Sequence, residues 1–196
     1  MHMNASDKSE PCRWKKLDTR VLAHTPIFDL QSIRFQHPTR TAPRDFFVIA
    51  APDWVNVVAL TTDRQLVLVR QFRYGIDDFS LEIPGGLIDP GEDPVVAGLR
   101  ELKEETGFSG GSARLLGGVH PNPAMQNNRC HFVFVEGVER TALVNWDENE
   151  EMAVTTLPVD EVYALAYQGV ISHAMVLDAL FLFQPVWAEI KQRGPI

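Results

Sequence analysis

Short apolar stretches in the first half of the chain predict a series of β-strands. They are rich in β-branched and aromatic residues, and turn residues such as Ala51-Pro52-Asp53 separate them. The predicted strands are 21–28, 33–36, 46–50, 55–61, 65–72 and 79–83. The first three strands indicate a small β subdomain that ends near Ala51.

The pattern becomes helical after Pro84-Gly85-Gly86. Asp93 is a typical N-cap residue, Pro94 suits the first helical position, and Gly107 is placed to end the helix. Strand character returns in 112–138 and 153–157, and two helices follow at 159–168 and 172–193, with a break at Gly169 and a kink at Pro185.

This order of elements predicts an α/β fold in which helices cover both faces of a mixed central sheet, an α/β/α sandwich. A small N-terminal antiparallel β subdomain precedes it. The predicted organisation is a flexible N-terminus at 1–13, the β subdomain at 14–51 and the main domain at 52–196.

Composition and charge limit the kinds of partner and the cellular location that the sequence predicts. The 196 residues, 45% of them hydrophobic, are enough for a well-formed core, and the net charge of −8 without a basic cluster argues against nucleic-acid binding. Neither an apolar leader nor a membrane-spanning stretch is evident in the sequence. With only Cys12 and Cys130 available, a disulfide framework is not expected, so the sequence favours a reducing, cytoplasmic location.

The helix after Pro94 carries an unusual group of carboxylates. At about 100° per residue, Glu101, Glu104 and Glu105 fall within about 100° of arc, away from the apolar stripe of the same helix. Like charges at this spacing repel one another, whereas a bound divalent cation would attract them. Oxygen ligands without Cys or His suit Mg²⁺ or Mn²⁺, and Mg²⁺ is commonly shared with substrate phosphates.

A solvated surface helix is the alternative interpretation, with Arg100 and Glu104 as an ordinary i, i+4 pair. The spacing of the wider motif argues against it. Seven specified positions, each matched by chance at about 7%, coincide with a probability on the order of 10⁻⁸.

The stretch 86–108 resembles the Nudix box. In that pattern Gly is followed after five residues by Glu, and after seven more by Arg-Glu, an aliphatic residue, any residue, Glu-Glu, any residue, Gly and an aliphatic residue. Gly86, Glu92, Arg100-Glu101-Leu102, Glu104-Glu105 and Gly107 match it, and Phe108 departs from the final aliphatic position. The box is specific for the superfamily and carries no information about the substrate.

The resemblance implies metal-dependent hydrolysis of a nucleoside diphosphate derivative, in which water attacks a phosphorus atom of the pyrophosphate. It also implies roles for individual residues. Glu101 and Glu105 would be the principal metal ligands, Glu104 a further ligand and Glu92 an outer ligand. The carbonyl of Gly85 would complete the metal shell, and Arg100 would orient a glutamate of the cluster.

Residues outside the box resemble the ADP-ribose pyrophosphatase branch of the superfamily. The segment Leu81-Glu82-Ile83-Pro84-Gly85-Gly86 is similar to the one that precedes the box in that branch, and Gln71-Phe72-Arg73-Tyr74 is similar to its preceding strand end. We expect Arg70, Arg73 and Glu82 to contribute to substrate binding. Pro123 stands at the branch's characteristic position, but the usual Ser-Pro-Gly around it is absent.

An acidic run at 147–152 resembles the loop from which this branch recruits its catalytic base. Glu148 and Glu150 are the two candidates. A carboxylate on a separate loop escapes the cations that make the helix carboxylates poor bases.

The sequence therefore predicts a Mg²⁺-dependent pyrophosphatase that acts on ADP-ribose or a related nucleotide sugar. Two alternatives remain open: hydrolysis of another diphosphate, such as a dinucleotide, a coenzyme or a nucleoside triphosphate, and a noncatalytic module that senses a nucleotide. We also expect a homodimer, because the three N-terminal strands have too little chain to bury both faces and the branch commonly exchanges this region.

Overall fold

The computed structural model describes residues 10–144, 146 and 151–193, and the chain within them forms two compact units. The first unit comprises residues 10–51 together with Asn122–Asn127, and the second comprises Pro52–Pro121 and the described residues from Asn128 onwards. The inclusion of Asn122–Asn127 in the first unit was not expected from the sequence. Most of the predicted flexible N-terminus, 1–13, lies outside the described residues.

The first unit is a three-stranded antiparallel sheet in the order β1-β2-β3. Its strands are β1 (Lys15–His24), β2 (Asp29–Gln36) and β3 (Arg44–Ala50). The predicted first strand, 21–28, was wrong at both ends. A turn replaces its last four residues because the Thr25 hydroxyl accepts a hydrogen bond from the Phe28 amide, at 2.9 Å, and reverses the chain.

The second unit contains the mixed central sheet, whose strands are β4 (Trp54–Thr61), β5 (Gln65–Arg73), β6 (Asp78–Glu82), β7 (Gly85–Leu87), β8 (Phe108–Ser109), β9 (Ser112–Val119), β10 (Cys130–Arg140) and β11 (Met152–Pro158). The main path runs β11-β5-β4-β10-β8. The central pair, β4 and β10, is parallel, and the other pairs are antiparallel. The sequence predicted no strand at the short β7, which pairs with β4.

Helices cover both faces of this sheet. On one face, α2 (Val159–Tyr167) and α3 (Ala174–Gln192) pack on Leu66, Leu68, Phe132 and Phe134. On the other face, α1 (Pro94–Thr106) packs through Ala97 and Leu102 against alternate residues of the same strands. The predicted α/β/α sandwich, a mixed sheet preceded by a three-stranded antiparallel sheet, is confirmed.

The predicted ends of α1 are also confirmed. The Asp93 carboxylate accepts hydrogen bonds from the amides of Val95 and Val96, and Gly107 ends the helix with a left-handed φ of 74°. The α3 helix continues through Pro185. None of the helices in the described part of the chain is long and apolar enough to cross a bilayer.

Candidate active site

Two glycines on β7 bring backbone close to the carboxylates of α1. Gly85 and Gly86 pair with Asn56 and Val55 of β4. A Cβ atom at Gly85 would overlap the Val55 carbonyl oxygen, and one at Gly86 would lie 2.5 Å from the Glu101 carboxylate carbon. Only glycine fits at either position without displacing a neighbour.

Glu105 lies beneath β7 and is only 4% exposed. Its Oε2 atom accepts a hydrogen bond from the Gly85 amide at 2.9 Å. The sequence placed Glu105 on the polar flank of α1, and the structure buries it there because β7 covers that flank. A buried carboxylate with a backbone donor is held in one place, which is a requirement for a precise ligand site.

Arg100 is the centre of a carboxylate cluster in which all five of its N–H groups have acceptors. Its Nε and Nη2 atoms donate to Glu92 at 3.1 and 3.0 Å, and Nη1 donates to Glu101 at 2.7 Å and to Glu104 at 3.2 Å. Nη2 also donates to the Leu87 carbonyl at 3.0 Å. One guanidinium therefore links the loop before α1, the helix itself and β7.

The electrostatics of the cluster follow from these bonds. Hydrogen bonding to Arg100, helped by the Asp89 amide, holds the pKa of the Glu92 carboxyl below its usual range. The Glu92 hydrogen bonds raise the pKa of Arg100 further above its already high value. Both groups are consequently charged at every physiological pH.

The residues of this cluster fit a divalent cation by charge and by chemistry. Glu92, Glu101 and Glu104 share the Arg100 guanidinium, and Glu105 lies on the same helix with its carboxylate bonded to the Gly85 amide. Together the four carboxylates and one guanidinium carry a formal charge of about −3 and offer only oxygen ligands. Within the described ranges no three acidic, histidine or cysteine side chains already form a closed metal-binding group. Three of the four carboxylates are instead fanned around Arg100.

A second ion pair lies where β5 and β6 meet. Arg73 donates to Glu82 through Nε at 2.8 Å and Nη2 at 2.6 Å, and the Glu82 side chain is only 1% exposed. Burial raises the pKa of Glu82, but the hydrogen bonds and charge of Arg73 outweigh burial and leave that pKa below its usual range. Glu105 is near enough for its charge to raise the pKa of Arg73, after the larger effect of Glu82.

Not all of the predicted site residues come together. Arg70 and Arg73 are three residues apart on one strand and so point to opposite faces of the sheet. The Arg70 guanidinium carbon lies 4.0 Å from the Phe79 ring centroid. Its proposed contact with substrate stays a prediction. Glu148 and Glu150 lie outside the described residues.

The structure also reveals neighbours that the sequence did not indicate. The Trp146 indole donates to the Glu105 carbonyl oxygen at 2.8 Å. Leu143 lines a cleft of about 340 Å³ with Arg100, Lys103 and Glu104. The His173 Nε2 atom lies 4.0 Å from the Glu82 carboxylate oxygen that also accepts from Arg73. None of these residues belongs to a recognisable motif, so only the fold could identify them.

Comparison with known proteins identifies the same region. The model of the NUDIX domain family matches residues 52–180, which include β4 to β11, α1 and α2. The chain is 32% identical over 155 residues to the methanol dehydrogenase activator of Bacillus methanolicus, covering 78% of this chain and 82% of that protein.

Two further similarities extend over almost the whole chain. The ADP-ribose pyrophosphatase of Bacillus subtilis is 28% identical over 187 residues, which cover 91% of this chain and 96% of that protein. A crystal structure of an ADP compounds hydrolase superimposes with a TM-score of 0.80 and 25% identity, covering 96% of this chain and all of the other.

Proposed function

This chain belongs to the Nudix family and is a hydrolase of pyrophosphate bonds, and from that premise we propose that it hydrolyses ADP-ribose or a closely related ADP-sugar. The observation that carries the proposal is the set of four carboxylates beside a glycine strand, three of them bonded to Arg100 and the fourth, Glu105, bonded to the Gly85 amide. Such a set gains nothing for stability from its clustered charge, but it suits a substrate that brings phosphates and a cation.

The names of two similar proteins support the proposal that the substrate contains an ADP group. Both the pyrophosphatase of Bacillus subtilis and the hydrolase of known structure are named for ADP compounds, and both match nearly the whole chain. Addition of water across the anhydride bond of ADP-ribose would give AMP and ribose 5-phosphate. Hydrolases of other diphosphates and a noncatalytic nucleotide sensor remain the alternatives to be tested.

We assign the metal-binding role to α1 and β7. Glu101 and Glu105 would be the principal ligands of Mg²⁺ or Mn²⁺, Glu104 a further ligand, Glu92 an outer ligand, and the Gly85 carbonyl a backbone ligand. When bound, the cation neutralises charge that develops on the phosphoryl oxygens. Arg100 holds Glu92, Glu101 and Glu104 in place around its guanidinium before any cation arrives.

Arg73 and Glu82 are proposed to shape the substrate-binding side of the site. Glu82 fixes Arg73 through two parallel hydrogen bonds, and this leaves the three other N–H groups of the half-exposed guanidinium to bind a phosphate or ribose oxygen. Arg70, which faces the other side of the sheet, would reach substrate only at the strand end. Glu148 or Glu150 is proposed as the base that positions or deprotonates the attacking water.

We further propose that the protein is a homodimer formed through the N-terminal sheet. Every residue of β1 is exposed, and the sheet carries exposed Leu17, Leu22, Phe46 and Phe47. An edge strand with this much exposed apolar surface is typical of an interface. The cytoplasmic location stays a prediction, which the free thiols of Cys12 and Cys130 support.

A substrate screen tests the proposed function. Nucleoside diphosphate sugars, dinucleotides, coenzymes and nucleoside triphosphates are incubated with the protein and Mg²⁺, and the products are treated with phosphatase and scored by released phosphate. We expect ADP-ribose or another ADP-sugar to give the highest kcat/KM. A higher kcat/KM for another class would show that this class, and not ADP-sugars, is the substrate. Binding without turnover would indicate a sensor.

A further inference from the structure

Trp146 is bonded to the end of α1 although it lies far away in the sequence. Its indole Nε1 donates to the Glu105 carbonyl oxygen at 2.8 Å across 41 residues. This carbonyl belongs to the last turn of the helix, whose carbonyls have no partners within the helix itself. Trp146 therefore satisfies a backbone group that would otherwise depend on the Gly107 cap or on water.

The chain just before Trp146 is bonded to the same helix end. The amides of Thr141 and Ala142 donate to the Gly107 carbonyl at 2.9 and 3.1 Å. The last turn of α1 is consequently held from outside at two successive places, first at Gly107 and then at Glu105. Beyond Trp146 the sequence enters the acidic run that contains Glu148 and Glu150.

Both the backbone carbonyl and the side-chain carboxylate of Glu105 accept hydrogen bonds. Trp146 binds its carbonyl oxygen, and the Gly85 amide of β7 binds its buried carboxylate at 2.9 Å. Loss of the first bond would allow the last helical turn to fray, because terminal turns lack the ladder of hydrogen bonds that stabilises the helix interior. The carboxylate would move with that turn.

We propose that Trp146 is a positioning residue that fixes the last turn of α1 and thereby holds the Glu105 carboxylate in place for a divalent cation. This inference rests on the proposed function in naming the cation-dependent hydrolysis that the carboxylate serves. In this role Trp146 acts through the Glu105 backbone rather than through the reacting atoms.

The test is Trp146→Phe, which removes the indole N–H and keeps an aromatic ring. We expect kcat for ADP-ribose to fall about 10-fold and the Mg²⁺ concentration for half-maximal activity to rise about five-fold, with KM for ADP-ribose within about twofold of the wild type. A purely structural hydrogen bond would lower thermal stability without raising the Mg²⁺ requirement.

Trp187→Phe is the matched control. Trp187 also donates from its indole, to Asp160 Oδ1 at 2.8 Å, but it joins α3 to α2 on the opposite face of the sheet. We expect this variant to keep all three kinetic parameters within about twofold of the wild type. Equal behaviour of the two variants, with an unchanged Mg²⁺ requirement, would overturn the proposal.

A measurement on the wild-type protein keeps the proposal testable if Trp146→Phe does not fold or if ADP-ribose is not the substrate. The four tryptophans give four indole ¹H–¹⁵N signals, which Trp→Phe variants at the other three positions assign. During titration with Mg²⁺ alone, the Trp146 signal should shift and the Trp187 signal should not. A Trp146 signal that stays unmoved at saturating Mg²⁺ would overturn the inference, whereas absent ADP-ribose turnover would count only against the proposed function.

Discussion

One added methyl group at Gly86 should disable the site while leaving the fold intact. In the structure a Cβ atom at this position would lie 2.5 Å from both Cδ and Oε1 of Glu101 and 2.7 Å from Oε2. Ordinary contact begins at 3.4 Å, so the carboxylate of Gly86→Ala must retreat by about 1 Å. The 2.7 Å hydrogen bond from Arg100 to Glu101 would be strained or lost with this movement.

Gly86→Ala should reduce activity far more than it reduces the free energy of unfolding. The group that moves is the end of a flexible side chain, so the free energy of unfolding should fall by less than about 1 kcal/mol, which lowers Tm by less than about 4 °C. A displacement of about 1 Å in a catalytic site typically costs about 10²-fold in rate. We therefore expect kcat for ADP-ribose to fall about 10²-fold in Gly86→Ala.

Steady-state kinetics with saturating Mg²⁺ and thermal unfolding measure the two effects, and two other glycines provide comparisons. Gly75 has open space around it, so Gly75→Ala should match the wild type in both assays. Gly85→Ala should lose stability as well as activity, because its methyl group would overlap the Val55 backbone rather than a movable side chain. A Gly86→Ala protein with kcat within about twofold of the wild type would refute the role given to Glu101.

Three further predictions follow from the ion pair, the acidic run and the N-terminal sheet. Arg73→Met removes the guanidinium partner of the buried Glu82 and should cost about 2–4 kcal/mol of unfolding free energy near pH 7. In the wild type Arg73 holds the pKa of Glu82 below its usual range, so the contribution of the pair stays intact above about pH 4.5. In the variant burial raises the pKa of Glu82 without Arg73 to oppose it, so the buried carboxyl is protonated as pH falls and the deficit should shrink from pH 7 towards pH 5 in urea unfolding; an equal deficit at both pH values would contradict this prediction. Of Glu148→Gln and Glu150→Gln, the one that removes the base should lose kcat by about 10²-fold with unchanged Mg²⁺ requirement, whereas full turnover of both from about pH 6 to 9 would place the base elsewhere. Sedimentation equilibrium at micromolar concentration should give a dimer for the wild type and a monomer for Phe47→Asp, and a fully active wild-type monomer would exclude the dimer.

The elements that the sequence predicted well are those governed by local chemistry. The helix α1 begins at Pro94 and ends before Gly107 because capping depends on residues within one turn of each end. The apolar runs of β4 and β5 were found because their residues are buried on both faces. Local signals failed at 25–28, where a threonine hydroxyl reverses a strand-like sequence, and at Gly85–Leu87, where the two glycines gave no strand signal and pairing with β4 forms a strand.

In the candidate site, too, local spacing predicted some contacts and only the fold produced the others. The spacing of the glutamates and Arg100 within one loop and helix predicted one cluster, and Glu92, Glu101 and Glu104 do surround the guanidinium, while Glu105 is bonded to β7 instead. The burial of Glu105 depends on β7, and the Trp146 contact crosses 41 residues. Contacts of this kind depend on how the strands and helices are packed, and no periodicity in the sequence encodes them.

We propose that the carboxylates of α1 support hydrolysis of the pyrophosphate bond in ADP-ribose, and Glu105→Gln tests this role most directly. Glutamine keeps an oxygen that can accept the Gly85 amide, so the fold and Tm should be preserved while the charge is removed. Release of AMP from ADP-ribose is measured with saturating Mg²⁺ for the wild type and the variant. The account predicts rapid AMP release by the wild type and a rate at least about 10²-fold lower for the variant, whereas equal rates, or no AMP release by the wild type with Mg²⁺ or Mn²⁺, would contradict it.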